Sequence, residues 1–149
     1  MVTAAVAETI LVKPKVIGAN ISWKSHGSSN RLEATVLVID TNEVCYLKGY
    51  VGRTNRSLVL LYNITPIRKW TVHSQHRNPD TGEIVREPHK HTWDDEYEDR
   101  IVYIPDDIRV GDINNEFIDF LAECNITMRG QYVSLRPLGE PHEQIEFGI

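Results

Sequence analysis

Leu32-Glu-Ala-Thr-Val-Leu-Val-Ile39, Asp40-Thr-Asn42, Glu43-Val-Cys-Tyr-Leu-Lys-Gly-Tyr-Val51, Gly52-Arg-Thr-Asn55 and Ser57-Leu-Val-Leu-Leu-Tyr62 decide the fold class of this chain. The long runs are rich in Val, Ile, Thr, Leu and Tyr, the residues that fit a pleated surface. The short ones carry Asp, Asn, Thr and Gly, which favour turns. Three successive strands follow. The third is largely apolar, so it belongs near the middle of a sheet.

Working outward, Thr65-Pro66 should interrupt the sheet, because proline has no N–H for a ladder. From Ile67 to His73 the residues alternate: Ile67, Lys69, Thr71 and His73 share one face, and Arg68, Trp70 and Val72 the other. Asn78-Pro-Asp-Thr-Gly82 is the strongest turn signal, with Pro79 presetting φ and Gly82 free to take φ > 0. It should join Ile67–His76 to a strand from Glu83 to Trp93. A short strand is expected at Arg100–Ile104, and closing strands at Gln131–Arg136 and Gln144–Phe147. The first twenty residues read as a strand or a short helix. One helix is clear: Asp112 can cap it, Ile113, Phe117, Phe120, Leu121 and Cys124 recur at helical spacing, and Asn125 can stop it. The expected fold is α+β in one domain spanning 1–149. It is a mainly antiparallel sheet of about six to eight strands with one late helix, at about 112–124, packed on one face.

Chemistry concentrates at His76-Arg-Asn-Pro-Asp-Thr-Gly-Glu-Ile-Val-Arg-Glu-Pro-His89-Lys-His91, which holds three of the six histidines. Residues two apart on a strand share a face, so His89 and His91 should stand side by side. The reversal at Asn78–Gly82 could bring His73 or His76 to meet them. Imidazole transfers protons and binds metals near neutral pH. The acidic run Asp94–Asp99 would raise an imidazole pKa if it folded over the cluster.

The chain has a net charge of −5, and 41% hydrophobic and 25% charged residues, values of a globular protein. The charge is uneven. Residues 1–77 hold ten Lys/Arg against four Asp/Glu, and residues 78–149 hold six against seventeen. A polyanion partner for one face is one reading, and mutual neutralisation inside the fold is the other. No apolar run could span a bilayer and no basic leader precedes the apolar N-terminus, so the expectation is a cytoplasmic protein without membrane contact. Cys45 and Cys124 should be buried free thiols. Trp23, Trp70 and Trp93 read as core or edge residues.

Three functions fit. The first is a metal-independent ribonuclease or nucleic-acid-binding protein. It would use His76, His89, His91 and Lys90 for catalysis, and Lys48, Arg53, Arg56, Lys69 and Arg77 for RNA phosphates. The second is a site for zinc or another first-row divalent metal. Here His89-x-His91-x-x-x-x-Glu96 and Pro137-x-Gly139-x-x-His142 resemble the two cupin motifs. That resemblance implies His89, His91, Glu96 and His142 as ligands, although the flanking glycines are shifted and a helix falls between the motifs. The third is a non-enzymatic module whose acidic half docks a protein partner.

Residues 70–126 show a closer resemblance. His76-x-Asn78-Pro79-Asp80-x-Gly82, Pro88-His89-x-His91, Asp99-Arg100 and a helix ending Cys124-Asn125-Ile126 resemble a family of small uncharacterised prokaryotic proteins. Thr81 lengthens the turn by one residue relative to that pattern. The resemblance implies that the histidine segment is a unit, and it implies no activity. In size and layout such proteins are similar to small toxin and phage-defence ribonucleases, a likeness of fold only.

Overall fold

The structure, a computed structural model, describes residues 2–136 and 144–145. Thr3 opens the chain's first element: its hydroxyl accepts the Val6 N–H and caps helix α1, Ala4–Val12. Strands β1 (Lys15–Ile17), β2 (Ile21–Ser22), β3 (Lys24–His26), β4 (Ser29–Val38), β5 (Val44–Val51), β6 (Arg56–Tyr62) and β7 (Thr65–Val72) follow. Then come the short pair β8 (His76–Arg77) and β9 (Ile84–Val85), and strands β10 (His89–Asp94) and β11 (Glu98–Tyr103). Helix α2 (Ile113–Glu123) precedes β12 (Ile126–Met128), β13 (Tyr132–Val133) and β14 (Gln144–Ile145).

Nine of these strands form one sheet in the order β11-β10-β7-β6-β5-β4-β1-β12, with β3 paired to β4. From β4 to β11 it is an antiparallel meander interrupted by the β8–β9 hairpin, and only β1–β12 is parallel. A meander is not the double Greek key of a jelly roll, so the cupin resemblance does not extend to the fold. Pro66 does not interrupt the sheet. It is the second residue of β7, paired with Leu61 beside a register shift at Leu60/Leu61, where the ladder tolerates its missing N–H. The single strand expected from Glu83 to Trp93 is two, broken at Arg86-Glu87-Pro88.

Both helices lie on one face. Ala7, Ile10 and Leu11 of α1 and Phe117, Phe120 and Leu121 of α2 are buried with Leu32, Val36, Leu47, Leu58, Leu60 and Trp70 from the strands. Asp112 caps α2 by accepting the Asn114 N–H at 2.7 Å, and Asn125 ends it at φ +54. Phe117 stacks on Tyr132, with ring centroids 4.2 Å apart. The tryptophans are anchors: Trp23 Nε1 donates to Tyr132 Oη at 2.7 Å, Trp70 Nε1 to Glu116 Oε1 at 3.1 Å, and Trp93 Nε1 to Val2 O at 2.8 Å. Cys45 and Cys124 are buried free thiols.

Cations on this face are all engaged. Arg56 makes two hydrogen bonds, 2.7 and 2.6 Å, to the fully buried Glu116. Lys15 Nζ donates to Leu11 O, Lys13 O and Cys124 O, closing the ends of both helices. Arg68 meets Glu8 at 2.9 Å, and its Nε lies 3.2 Å from Glu123 in an ionic contact without hydrogen-bond alignment. Part of the charge asymmetry along the sequence is therefore internal neutralisation. No helix among the described residues is long and apolar enough to cross a membrane.

Candidate functional site

The Asn78–Gly82 turn builds the site. Gly82 takes φ +77, its N–H donates to Asn78 O, and the Asn78 N–H donates to Glu83 O, each at 2.8 Å. The Asn78 side chain then acts as one residue of a strand: Nδ2 donates to Val102 O at 3.1 Å and Oδ1 accepts the Val102 N–H at 2.8 Å. This covers part of the free edge of β11 and pins the β8–β9 hairpin across it. Asn78, Val85 and Val102 are buried by the arrangement, and His76 is carried over β10.

Opposite, β11 bulges. Thr92 pairs with Ile101 and Asp94 with Glu98, so Asp99 and Arg100 together face Trp93. In a regular strand, successive carbonyls point to opposite sides. Here both serve the same cluster: Asp99 O accepts from His91 Nδ1 at 2.8 Å, and Arg100 O accepts from His76 Nε2. The third ring, His89, donates from Nδ1 to Glu87 O at 2.8 Å, and its Nε2 accepts the Thr71 hydroxyl at 2.9 Å. A carbonyl can only accept, so three main-chain oxygens fix which nitrogen of each ring carries the proton. His91 Nε2 and His76 Nδ1 keep lone pairs with no hydrogen-bond partner among the described residues.

The rings meet. Their centroids are 5.1 Å apart for His89–His91, 5.2 Å for His76–His91 and 6.1 Å for His76–His89. His89 is fully buried, and His76 and His91 are half-buried. Burial pushes the His91 pKa down to about 4, and the neighbouring imidazoles and the Lys69 ammonium add to this, outweighing the Asp99 carbonyl. Burial lowers His89 as well, with His76 and Lys69 contributing. Both rings are neutral at pH 7. The acidic run does not raise them, because its groups are turned elsewhere. Asp94 Oδ2 accepts the Glu96 and Tyr97 N–H groups, Asp95 Oδ1 accepts the Ala4 N–H at 2.7 Å, and Asp99 reaches His91 through its carbonyl.

Of the residues expected at the site, His76, His89, His91 and Lys69 come together. Lys69 pairs with His91 across the β7–β10 ladder, on the same face. Lys48 is on that face two strands further along the sheet. Lys90 is not at the cluster. Strand alternation sends it to the helix-covered side, where its fully buried ammonium bonds Asp107 and Glu123, each at 2.7 Å. Arg56 is likewise lost to Glu116. Arg77 points away from His76 by alternation and donates to Gly82 O at 2.9 Å. Arg53 is exposed in the β5–β6 turn, beside a cavity of about 390 Å³ shared with His73, which lies past the end of β7 at φ +61. Glu96 is exposed in the β10–β11 turn, and His142 lies outside the described residues. No three His, Cys, Asp or Glu side chains among the described residues form a group that could hold a metal ion.

Sequence reading missed Thr71 and the two bulge carbonyls. A main-chain acceptor leaves no mark in side-chain identity, and the alternation that put Thr71 on the histidine face did not give its partner.

The chain belongs to a family of unknown function, DUF6978, whose model matches residues 3–126. No curated protein and no solved structure matches it.

Proposed function

We propose that this member of the DUF6978 family cleaves RNA by transesterification, without a metal, at the His76–His89–His91 cluster. The observation that carries the reading is the pair of unpartnered ring nitrogens, His91 Nε2 and His76 Nδ1, on adjacent imidazoles whose other nitrogens are fixed by main-chain carbonyls. His91, neutral at pH 7, accepts the 2′-hydroxyl proton at Nε2. The 2′-oxygen attacks phosphorus, and the P–O5′ bond breaks. In its imidazolium form, with Nε2 still bonded to Arg100 O, His76 gives its Nδ1 proton to the departing 5′-oxygen. The products are a 2′,3′-cyclic phosphate and a 5′-hydroxyl, and no other reactant is consumed. Lys69 faces the charge that develops on the phosphoryl oxygens. His89 is a positioning residue: held between Thr71 and Glu87, it packs against both other rings.

The test is incubation of purified protein with mixed-sequence RNA in excess chelator. Cleavage leaving cyclic phosphate ends is expected, and His91→Ala and His76→Ala should each slow it by about 10²–10⁴-fold. Intact RNA with the wild-type protein overturns the proposal. Cleavage that chelator abolishes overturns its metal-independent form.

A further inference from the structure

We infer that the uncovered face of the sheet is a track for single-stranded RNA, ending at the histidine cluster. The strand registers line up two rows of side chains across five strands or more. One row is Lys24, Arg31, Tyr50, Ser57, Thr71 and His89. The other is Glu33, Lys48, Val59, Lys69 and His91. Both rows finish on an imidazole. Between them lies a groove of about 290 Å³, with Arg31, Lys48, Tyr50 and Lys69 on its walls and Ser57 and Val59 in its lining.

Charge complementarity selects the occupant. Lys24, Arg31, Lys48 and Lys69 stand against the single carboxylate Glu33, and none of the four is ion-paired among the described residues. The opposite face of the same strands pairs its cations. Lys24, Arg31 and Lys48 are exposed. From β4 to β10 the track crosses four strand spacings of about 4.8 Å, or about 19 Å, a span suited to a short run of nucleotides. Tyr50, with the Arg31 guanidinium 5.9 Å from its ring centroid, and the half-exposed Tyr46 offer stacking surfaces that only unpaired bases can use. The track draws its direction from the cleavage reading, since it delivers a phosphodiester to Lys69 and His91.

Binding is measured by fluorescence anisotropy with a labelled twelve-nucleotide 2′-O-methyl RNA, which lacks the internal nucleophile and stays intact. The double variant Arg31→Ala/Lys48→Ala should bind about tenfold more weakly or worse. It should also reduce the slope of log K against log salt by about 1.4, from two lost phosphate contacts at about 0.7 each. Arg109→Ala, which removes an exposed cation paired with Asp119 of helix α2 on the covered side, should leave binding unchanged. Binding by the double variant within about twofold of wild type, or an equal loss in Arg109→Ala, overturns the track. If the oligonucleotide binds as expected while RNA is never cut, the track stands and the cleavage reading falls. If RNA is cut and the double variant keeps its KM, cleavage stands and the track falls.

Discussion

The two faces of the large sheet are made by the same strands and both carry lysine and arginine, yet they treat charge in opposite ways. On the helix-covered face, Arg56, Arg68, Lys15 and Lys90 are buried or nearly so, and each is held by carboxylates or carbonyls. On the uncovered face, Lys24, Arg31, Lys48 and Lys69 have no ion-pair partner among the described residues. Lys69 lies between Arg68 and Trp70 in the chain, and the direction of one side chain decides whether its charge is structural or available. Burying an ionised group is expensive unless it is paired and hydrogen-bonded, so the covered face admits cations only with partners. A solvated face imposes no such condition and can leave charge free for a ligand.

Breaking the covered face should have the largest effect. Burial alone would raise the Glu116 carboxyl, but the Arg56 guanidinium, the Gly111 N–H and the Trp70 N–H outweigh it and hold the pKa below the usual carboxylate range. Glu116→Ala leaves all three donors without their acceptor, and should cost about 3–5 kcal/mol. At about 2–4 °C per kcal/mol for a chain of this size, the melting temperature falls by on the order of 10 °C. Glu116→Gln, which keeps the shape, should cost less. A loss under about 1 kcal/mol for Glu116→Ala, read by urea unfolding, would show that pairing is not what keeps this face together.

The histidine cluster lies on the uncovered face with His89 buried and His76 and His91 half-buried, and pH separates it from the rest of that face. Unfolded, a histidine titrates near 6.5; folded, His91 does so at about 4. Between those values the unfolded chain binds the extra proton, so stability rises with pH. The His91 contribution is complete above about pH 6.5 and is lost progressively as pH falls towards 4, by roughly 2–3 kcal/mol. His91→Phe should flatten the melting-temperature profile across that window, while at pH 7 it also loses the bond to Asp99 O. An unchanged slope in the variant would mean that the ring is solvated and titrates normally.

How much of this contrast the sequence could reveal depends on the range of the interaction. Period-two alternation around Ile67–His73 separates Lys69 from Arg68 and Trp70. The helical spacing of Ile113, Phe117, Phe120 and Leu121, with Asp112 before it, locates α2, because both signals are local. The meeting of His89 and His91 follows from the same alternation. Register is a different matter. That Lys48, Val59, Lys69 and His91 form one row depends on turn geometry and on the bulge at Leu60/Leu61, which no single residue announces. The Asn78 carboxamide standing in for a strand, and the bulge turning Asp99 O and Arg100 O towards one cluster, are long-range facts about backbone atoms. The fate of Arg56 and Lys90 was hidden for the same reason: their partners Glu116 and Glu123 are more than thirty residues away.

The smallest expected effect sharpens the comparison from the other side. Lys48 is exposed, makes no ion pair among the described residues, and lies between Glu33 and Val59 in its row. Lys48→Ala removes a charge without an ion-pair partner among the described residues, and an exposed side chain, so stability should change by no more than about 0.5 kcal/mol. The melting temperature should then stay within about 2 °C of wild type. Alanine favours strands less than most residues, so a slight loss is the expected direction. Lys90→Ala, measured alongside, deletes a cation of the same type from the covered face and strips two carboxylates of their partner, which should cost several-fold more. If the two variants melt together, the division of the sheet into a face that stores charge and a face that offers it is wrong, and Lys48 is as much a part of the scaffold as Lys90.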